Sequence, residues 1–399
     1  MVFTGKTDFY KKDCKLKADN IQSAPMKKWY LLAGFLFLGL IQSGCVSGRF
    51  HADAPEINVL SLNIWQEGTR VENGFDYIID EIEHLKPDLV AFSEVRNYND
   101  TDFIGRVVEA LARRGLTYYG EKSVSTGIIS KYPIQSQESV SAWTSRDNGS
   151  ALKALIEVQG RPFAFYSLHL DWRHYACYLP RGYGSSTWKK VETRVTDVEE
   201  ILKDSNESFR DEIVEMVLAD AEQERLNGRR ILICGDFNEP SHLDWQADTA
   251  QLRDHNGVVI NWDLSTMLHD SGYQDSYRVI HPNPVTHPGF TFPANNLAVP
   301  VSSLACAPEV DERDRIDFIY YGPKEMLRAV DSRVVAPAGD ILRNERVPDD
   351  SEDPFIVPLG GWPTDHKGVL TRFRLDAAGS ARSKLFKAGA TGLQRGYCP

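Results

Sequence analysis

Apolar and polar residues alternate through Ile57-Asn58-Val59-Leu60-Ser61-Leu62-Asn63, which predicts a half-buried strand ending on an amide. A second run, Asp88-Leu89-Val90-Ala91-Phe92-Ser93-Glu94-Val95, predicts a more deeply buried strand ending at a carboxylate. Between them Ile78, Ile79, Ile82 and Leu85 recur at helical spacing, and Pro87 stops the helix. Residues 101–114 predict another helix, with Gly115 just past its end. Strands are expected over 126–130, 134–140, 151–158 and 162–168, the last two joined through Gly160-Arg161. Residues 187–226 read as mostly helical with a break near Ser205-Asn206. The apolar run Ile231-Leu232-Ile233-Cys234 then delivers the chain to Gly235-Asp236-Phe237-Asn238.

Residues 241–314 read as irregular and aromatic-rich, 315–321, 329–335 and 368–373 as strands, and 340–364 as a loop rich in proline and acidic groups. Strands and helices interleave, but several strands come in adjacent pairs. The expected fold is therefore a four-layer α/β sandwich, two packed mixed β-sheets flanked by helices, in a single domain over residues 50–375.

The N-terminus changes the picture of location. Met26-Lys27-Lys28 opens a basic segment, residues 29–41 are uncharged and apolar, and Ser43-Gly44-Cys45 follows. That is signal-peptide length, short of the roughly 20 residues of a membrane span. The small residues before Cys45 are similar to a bacterial lipoprotein cleavage site with Cys45 lipidated, although Gln42 stands where an aliphatic residue is usual. Simple export or a retained anchor are the alternatives. Residues 1–25 read as an upstream extension preceding the true start, and 376–399 as a flexible tail. The chain carries −11 overall; the first 44 residues hold seven Lys and three Asp, so the remainder carries −15. A body so acidic does not favour extended nucleic-acid binding, which leans on phosphate neutralisation. Export permits disulfides, and Cys177 and Cys306 lie in long segments beside the candidate chemistry, so these two are expected to pair.

Polar groups recur at strand ends: Asn63, Glu94, His169, Asp236 with Asn238, Asp317, and Asp365-His366. Ligands gather at such ends in open sheets. Taken singly, each has an ordinary structural reading, as a turn former, a satisfied histidine or a loop residue. Together they offer hard-oxygen carboxylates, amides and imidazoles with no soft ligand cluster, a set that suits Mg2+ or Mn2+, or Ca2+.

The strings Leu60-Ser61-Leu62-Asn63, Phe92-Ser93-Glu94-Val95, Ser167-Leu168-His169-Leu170, Gly235-Asp236-Phe237-Asn238, Arg315-Ile316-Asp317-Phe318 and Thr364-Asp365-His366 resemble, in order, the motifs of the endonuclease/exonuclease/phosphatase superfamily. The resemblance implies that Glu94 is the principal metal ligand, with Asn63 beside it and Asp365 as a further metal partner. It implies that Asp236 aligns or deprotonates the attacking water and that Asn238 donates to a phosphoryl oxygen. His366 would touch the scissile phosphate, oriented by Asp317, and His169 would contact phosphate.

Substrate choice is less determined. Residues 171–183 mix aromatic and cationic groups, and Arg173, His174 and Arg181 are the candidate contacts for a second anionic group; Arg146, Lys153 and Arg278 are weaker ones. Phe290 and Phe292 are candidates for the pocket wall. The expected function is an exported, envelope-anchored phosphodiesterase or phosphatase of a small phosphorylated molecule or lipid head group. A secreted deoxyribonuclease-type endonuclease and an inactive surface-binding protein are the alternatives.

Overall fold

The structure, a computed structural model, describes residues 54–141 and 149–376. The expectations for residues 1–25, the signal segment 26–45 with Cys45, Arg146 and the tail beyond Asp376 lie outside the described residues. The described elements run β1 (Glu56–Asn63), α1 (Gly74–Leu85), β2 (Leu89–Val95), α2 (Phe103–Arg113), β3 (Ser125–Ser130), β4 (Ile134–Ser139), β5 (Ser150–Val158) and β6 (Arg161–His169). They continue with α3 (Val198–Ser205), α4 (Arg210–Leu226), β7 (Arg230–Asp236), α5 (Asp263–Asp270), β8 (Gln274–Asp275), α6 (Ser276–Ile280) and β9 (Asp317–Gly322). The last are β10 (Leu327–Val335), β11 (Asp340–Leu342), β12 (Glu345–Val347), β13 (Phe355–Ile356) and β14 (Gly368–Leu375).

Two six-stranded mixed sheets result, ordered β13-β10-β14-β1-β2-β3 and β4-β5-β6-β7-β9-β8, with β11 and β12 as a separate hairpin. Period-2 alternation decides which face each residue serves. In β1, Ile57 and Val59 enter the core between the sheets, while Leu60 and Leu62 turn outward. Those outward residues pack with Ile78, Ile79 and Ile82 of α1 and Phe103, Ile104 and Val107 of α2. In β7, Leu232 and Cys234 enter the same inter-sheet core, and Ile231 and Ile233 face Ile213, Val214 and Val217 of α4. Strands apolar on both faces need cover on both faces, so the four layers follow from the sequence pattern.

Departures are local. Residues 187–197 are not helical: they fold back, with a bridge between Tyr183 and Lys190, and helix begins only at Val198. Asp197 caps it, accepting from the Glu200 amide. The stretch 241–314 contains α5, β8 and α6, and 340–364 contains the β11–β12 hairpin and β13. No described helix is long and apolar enough to cross a membrane.

Candidate active site

The inner stripe of each sheet turns polar at one edge. Beyond Ile57 and Val59, β1 presents Ser61 and Asn63 at the same parity; beyond Phe163 and Phe165, β6 presents Ser167 and His169; beyond Leu232 and Cys234, β7 presents Asp236. Asp317 shares its parity with Ile319 and Tyr321 of β9. Asp317 and Asp365-His366 stand at or before the starts of β9 and β14, not at strand ends as expected. Both strands run antiparallel to their neighbours β7 and β1, so their starts reach the same edge as the ends of β1, β2, β6 and β7.

One close approach fixes that edge. Gly235 has φ 141°, and a Cβ there would lie 2.0 Å from the Leu168 carbonyl oxygen, so β6 and β7 can pair only across a glycine. The register His169 opposite Asp236 opposite Asp317 follows.

His366 Nδ1 lies 2.9 Å from Asp317 Oδ2. Its Nε2 lies 3.9 Å from Asp236 Oδ2 and 3.4 Å from Asn63 Nδ2. Burial opposes charge on this imidazole, but the carboxylates of Asp317 and Asp236 outweigh it and hold the group above its ordinary range. Asp236 is moved up, first by burial and then by Asp317. Its Oδ1 accepts from the Asn238 amide at 2.9 Å and its Oδ2 from Asn63 Nδ2 at 2.9 Å. Asn238, at φ 49°, also donates through Nδ2 to the Leu170 carbonyl at 3.0 Å. His169 Nδ1 lies 3.0 Å from Ser125 Oγ.

Glu94 sits at a bulge in the β2–β3 pairing, at φ 71°. Its Oε1 accepts from Asn63 Nδ2 at 3.3 Å and its Oε2 from the Gln66 amide at 2.9 Å. Burial pushes Asp365 up to about 7, with the Glu94 carboxylate acting the same way and His366 opposing. Carboxylates thus crowd one buried edge with too little positive charge to balance them. The donor atoms of these groups are oxygens, and burial pushes the Cys306 thiol in the same cleft up to about 12, toward its neutral form. This set fits a hard divalent cation held by Glu94 and Asp365 with Asn63 adjacent. Asp236, Asp317 and His366 also cluster closely enough for a cation. There, however, His366 Nδ1 and Asp317 Oδ2 already satisfy each other, so we read that trio as an oriented charge pair.

A cleft of about 470 Å³ opens over these groups, lined by Glu94, His169, Asp236, Asn238, Asp365 and His366. Its remaining walls include Trp65, Arg70 and Arg96, from the turns after β1 and β2, and Trp172, Tyr175, Tyr178 and Trp188, from the segment after β6. The rings of Trp172 and Trp188 meet edge to face at 5.2 Å. Phe292 also lines the cleft, its ring 5.0 Å from His366, whereas Phe290 is buried beneath Arg253 and Arg313.

The expected cationic contacts are corrected. Arg181 is buried, paired with Asp314, and lies over Trp245. Arg173 forks onto the buried Asp171 at 2.9 and 2.6 Å, and His174 Nδ1 lies 3.2 Å from Asp204. None of the three lines the cleft. The segment is the right one, but its aromatic residues face the cleft while its cations neutralise neighbouring acids. Lys153 and Arg278 are likewise in ion pairs, with Glu224 and Asp244. The disulfide is also corrected. Cys177 and Cys306 are free thiols, Cys177 buried beside Tyr175 and Asp314 and Cys306 beside Tyr178. Sequence reasoning missed Arg70, Arg96, Trp65 and Trp188; for the first three the usable signal was position, within a few residues of the ends of the strands bearing Asn63 and Glu94.

Residues 60–366 match the sequence pattern of the Endonuclease/Exonuclease/phosphatase family. An uncharacterized protein of Caenorhabditis elegans is 27% identical over 350 residues, covering 86% of this chain and 99% of the relative. Among solved structures, the human Nocturnin catalytic domain with bound sulfate anion is 16% identical, covers 81% of this chain and 96% of its own, and gives a TM-score of 0.46. D. rerio TDP2 complexed with single strand DNA product is 16% identical, with coverages of 80% and 98% and a TM-score of 0.45. At those scores neither carries an argument about this chain. The family pattern spans most of the sequence and includes the polar groups of the cleft from Asn63 to His366, and the chain belongs to the Endonuclease/Exonuclease/phosphatase family, whose members are hydrolases acting on phosphoester bonds.

Proposed function

We propose that this protein is a divalent-metal-dependent phosphoesterase that directs water at the phosphorus of a small phosphorylated molecule or lipid head group. The observation that carries the reading is the convergence of Asp236, the Asp317–His366 pair and Glu94 on one cleft. Asp236, moved up toward neutrality by burial and by Asp317, is suited to take a proton from the attacking water. Its geometry is set by the Asn63 and Asn238 hydrogen bonds. His366, kept charged by Asp317, presents Nε2 to a phosphoryl or leaving oxygen. His169 faces the same cleft as a second contact to phosphate. A cation at Glu94 and Asp365, with Mg2+ or Mn2+ favoured, would neutralise charge on the phosphoryl oxygens. As the water oxygen bonds to phosphorus, the bond from phosphorus to the leaving oxygen breaks, and the proton passes to Asp236.

The small cleft, its aromatic walls and the −15 body support a compact substrate over a long duplex. Arg70, exposed and over the Trp65 ring at 5.8 Å, and Arg96, 3.7 Å from Glu94, are the cations placed to meet its anionic groups. The lipoprotein-like N-terminus would hold this activity at the bacterial envelope.

The test is a Mg2+-supplemented panel of bis- and mono-p-nitrophenyl phosphate, sugar phosphates, nucleotides, phospholipid vesicles and supercoiled plasmid. Metal-dependent turnover of small esters or phospholipid without nicking is expected. Nicking alone would favour the endonuclease, and no turnover of any ester would favour the binding protein.

A further inference from the structure

The turn that follows β1 is built in an unusual way. Trp65, Gln66 and Glu67 have φ of 40°, 56° and 64°, and Gly68 follows at 72°. Three consecutive non-glycine residues in the left-handed region are strained, and such strain persists only where the surroundings over-determine it. A Cβ on Gly74 would lie 2.1 Å from the Gly68 carbonyl oxygen, so the exit of the turn is locked against the start of α1. A second strained segment lies beside it, with Glu94 at 71°, Asn97 at 52°, Asn99 at 57° and Asp100 at 57°.

The two segments hold each other reciprocally. The first gives the Trp65 amide to Asn63 Oδ1 at 2.9 Å and the Gln66 amide to Glu94 Oε2 at 2.9 Å. In return, Glu67 Oε1 accepts from the amides of Arg96 at 2.8 Å and Asn97 at 2.5 Å. Tyr98 Oη closes the outer edge by donating to Gln66 Oε1 at 2.9 Å. Glu67 is 3% exposed and does not line the cleft. A buried carboxylate is retained where backbone amides solvate it, and here those amides belong to the residues just after Glu94.

We propose that Glu67 is a positioning residue for the cation site: it fixes the left-handed conformation of the Glu94 bulge and, through the Gln66 amide, the direction in which the Glu94 carboxylate points. This rests on the reading of Glu94 as the principal cation ligand. Glu67 itself touches neither cation nor substrate. Hydrogen-bonded neighbours of metal ligands commonly set affinity by about 10- to 100-fold.

The test is Mg2+ affinity by titration calorimetry on the full chain, with thermal midpoints measured in parallel. Glu67→Gln keeps the accepting oxygen and is expected to stay within about 3-fold of the unmodified protein. Glu67→Asp withdraws the oxygen by one methylene and is expected to weaken Mg2+ by about 10-fold or more, as is Glu67→Ala. If Glu67→Ala does not fold, the Asp and Gln variants decide alone. Unchanged Mg2+ affinity in Glu67→Asp, or equal losses in Asp and Gln that track their thermal midpoints, would overturn the role. Failure of the unmodified protein to bind Mg2+ at all would instead overturn the reading of the cation site beneath it.

Discussion

Asp317 is fully buried and spends one oxygen on His366 while its Oδ1 has no hydrogen-bond partner. Such a group is costly unless its charge is used. Asp236→Ala or His366→Ala is therefore expected to cut turnover by at least about 100-fold with the far-ultraviolet circular dichroism unchanged. Near-normal turnover in either would remove that residue from the chemistry. Asp317→Asn, which keeps the shape but removes the charge behind His366, is expected to lower kcat by about 10-fold or more and is checked by the same assay. At this scale the sequence was informative wherever a polar residue interrupted an apolar stripe, as at Asn63, Asp236 and Asp317. It was uninformative for Arg173 and Arg181. Whether an arginine meets substrate or neutralises a neighbour depends on which acid, Asp171 or Asp314, the fold brings beside it.

Among the elements, β7 carries the tightest constraint. Gly235→Ala would place a methyl against the Leu168 carbonyl and force a side chain into a backbone conformation that favours glycine. The variant is expected to lose about 2 kcal/mol or more in denaturant unfolding, together with turnover, since both Asp236 and His169 ride on that pairing. A variant with unchanged stability would show that the strands accommodate it. Strands with two apolar faces, such as β1, β2 and β7, could be read from alternation and length. Residues 187–197 could not: their polar and charged residues suit an exposed helix, yet Trp188 is held against Trp172 and its amide donates to the Gly184 carbonyl. The short α5, β8 and α6 escaped notice because their turn residues and aromatics mask any period over so few positions.

Across the whole molecule, the sandwich is legible because two stripes of apolar residues per strand demand four layers; the cleft is legible because six of the strands turn polar toward one edge. The buried polar layer under residues 241–314 was not legible, since its pairs are far apart in sequence. His255 belongs to that layer, stacked on Trp245 at 3.6 Å with neither ring nitrogen in a well-formed hydrogen bond. Burial, then the charges of Arg181 and Arg253, pull its pKa down to about 2. The unfolded chain takes up this proton below its ordinary value of about 6.5 and the folded chain does not, so stability falls as pH drops through that range, by up to about 1.4 kcal/mol per pH unit from this group. His255→Phe is expected to flatten the acid limb of the thermal midpoint between about pH 6.5 and 4; an unchanged limb would place the sensitivity elsewhere. The most direct measurement of the function itself is the initial rate of bis-p-nitrophenyl phosphate hydrolysis, with Mg2+ or with chelator, in the unmodified protein and in Asp236→Asn. The expected result is turnover that requires the cation and falls at least about 100-fold in the variant. A rate indifferent to both the cation and the substitution would contradict metal-assisted attack by water at this cleft.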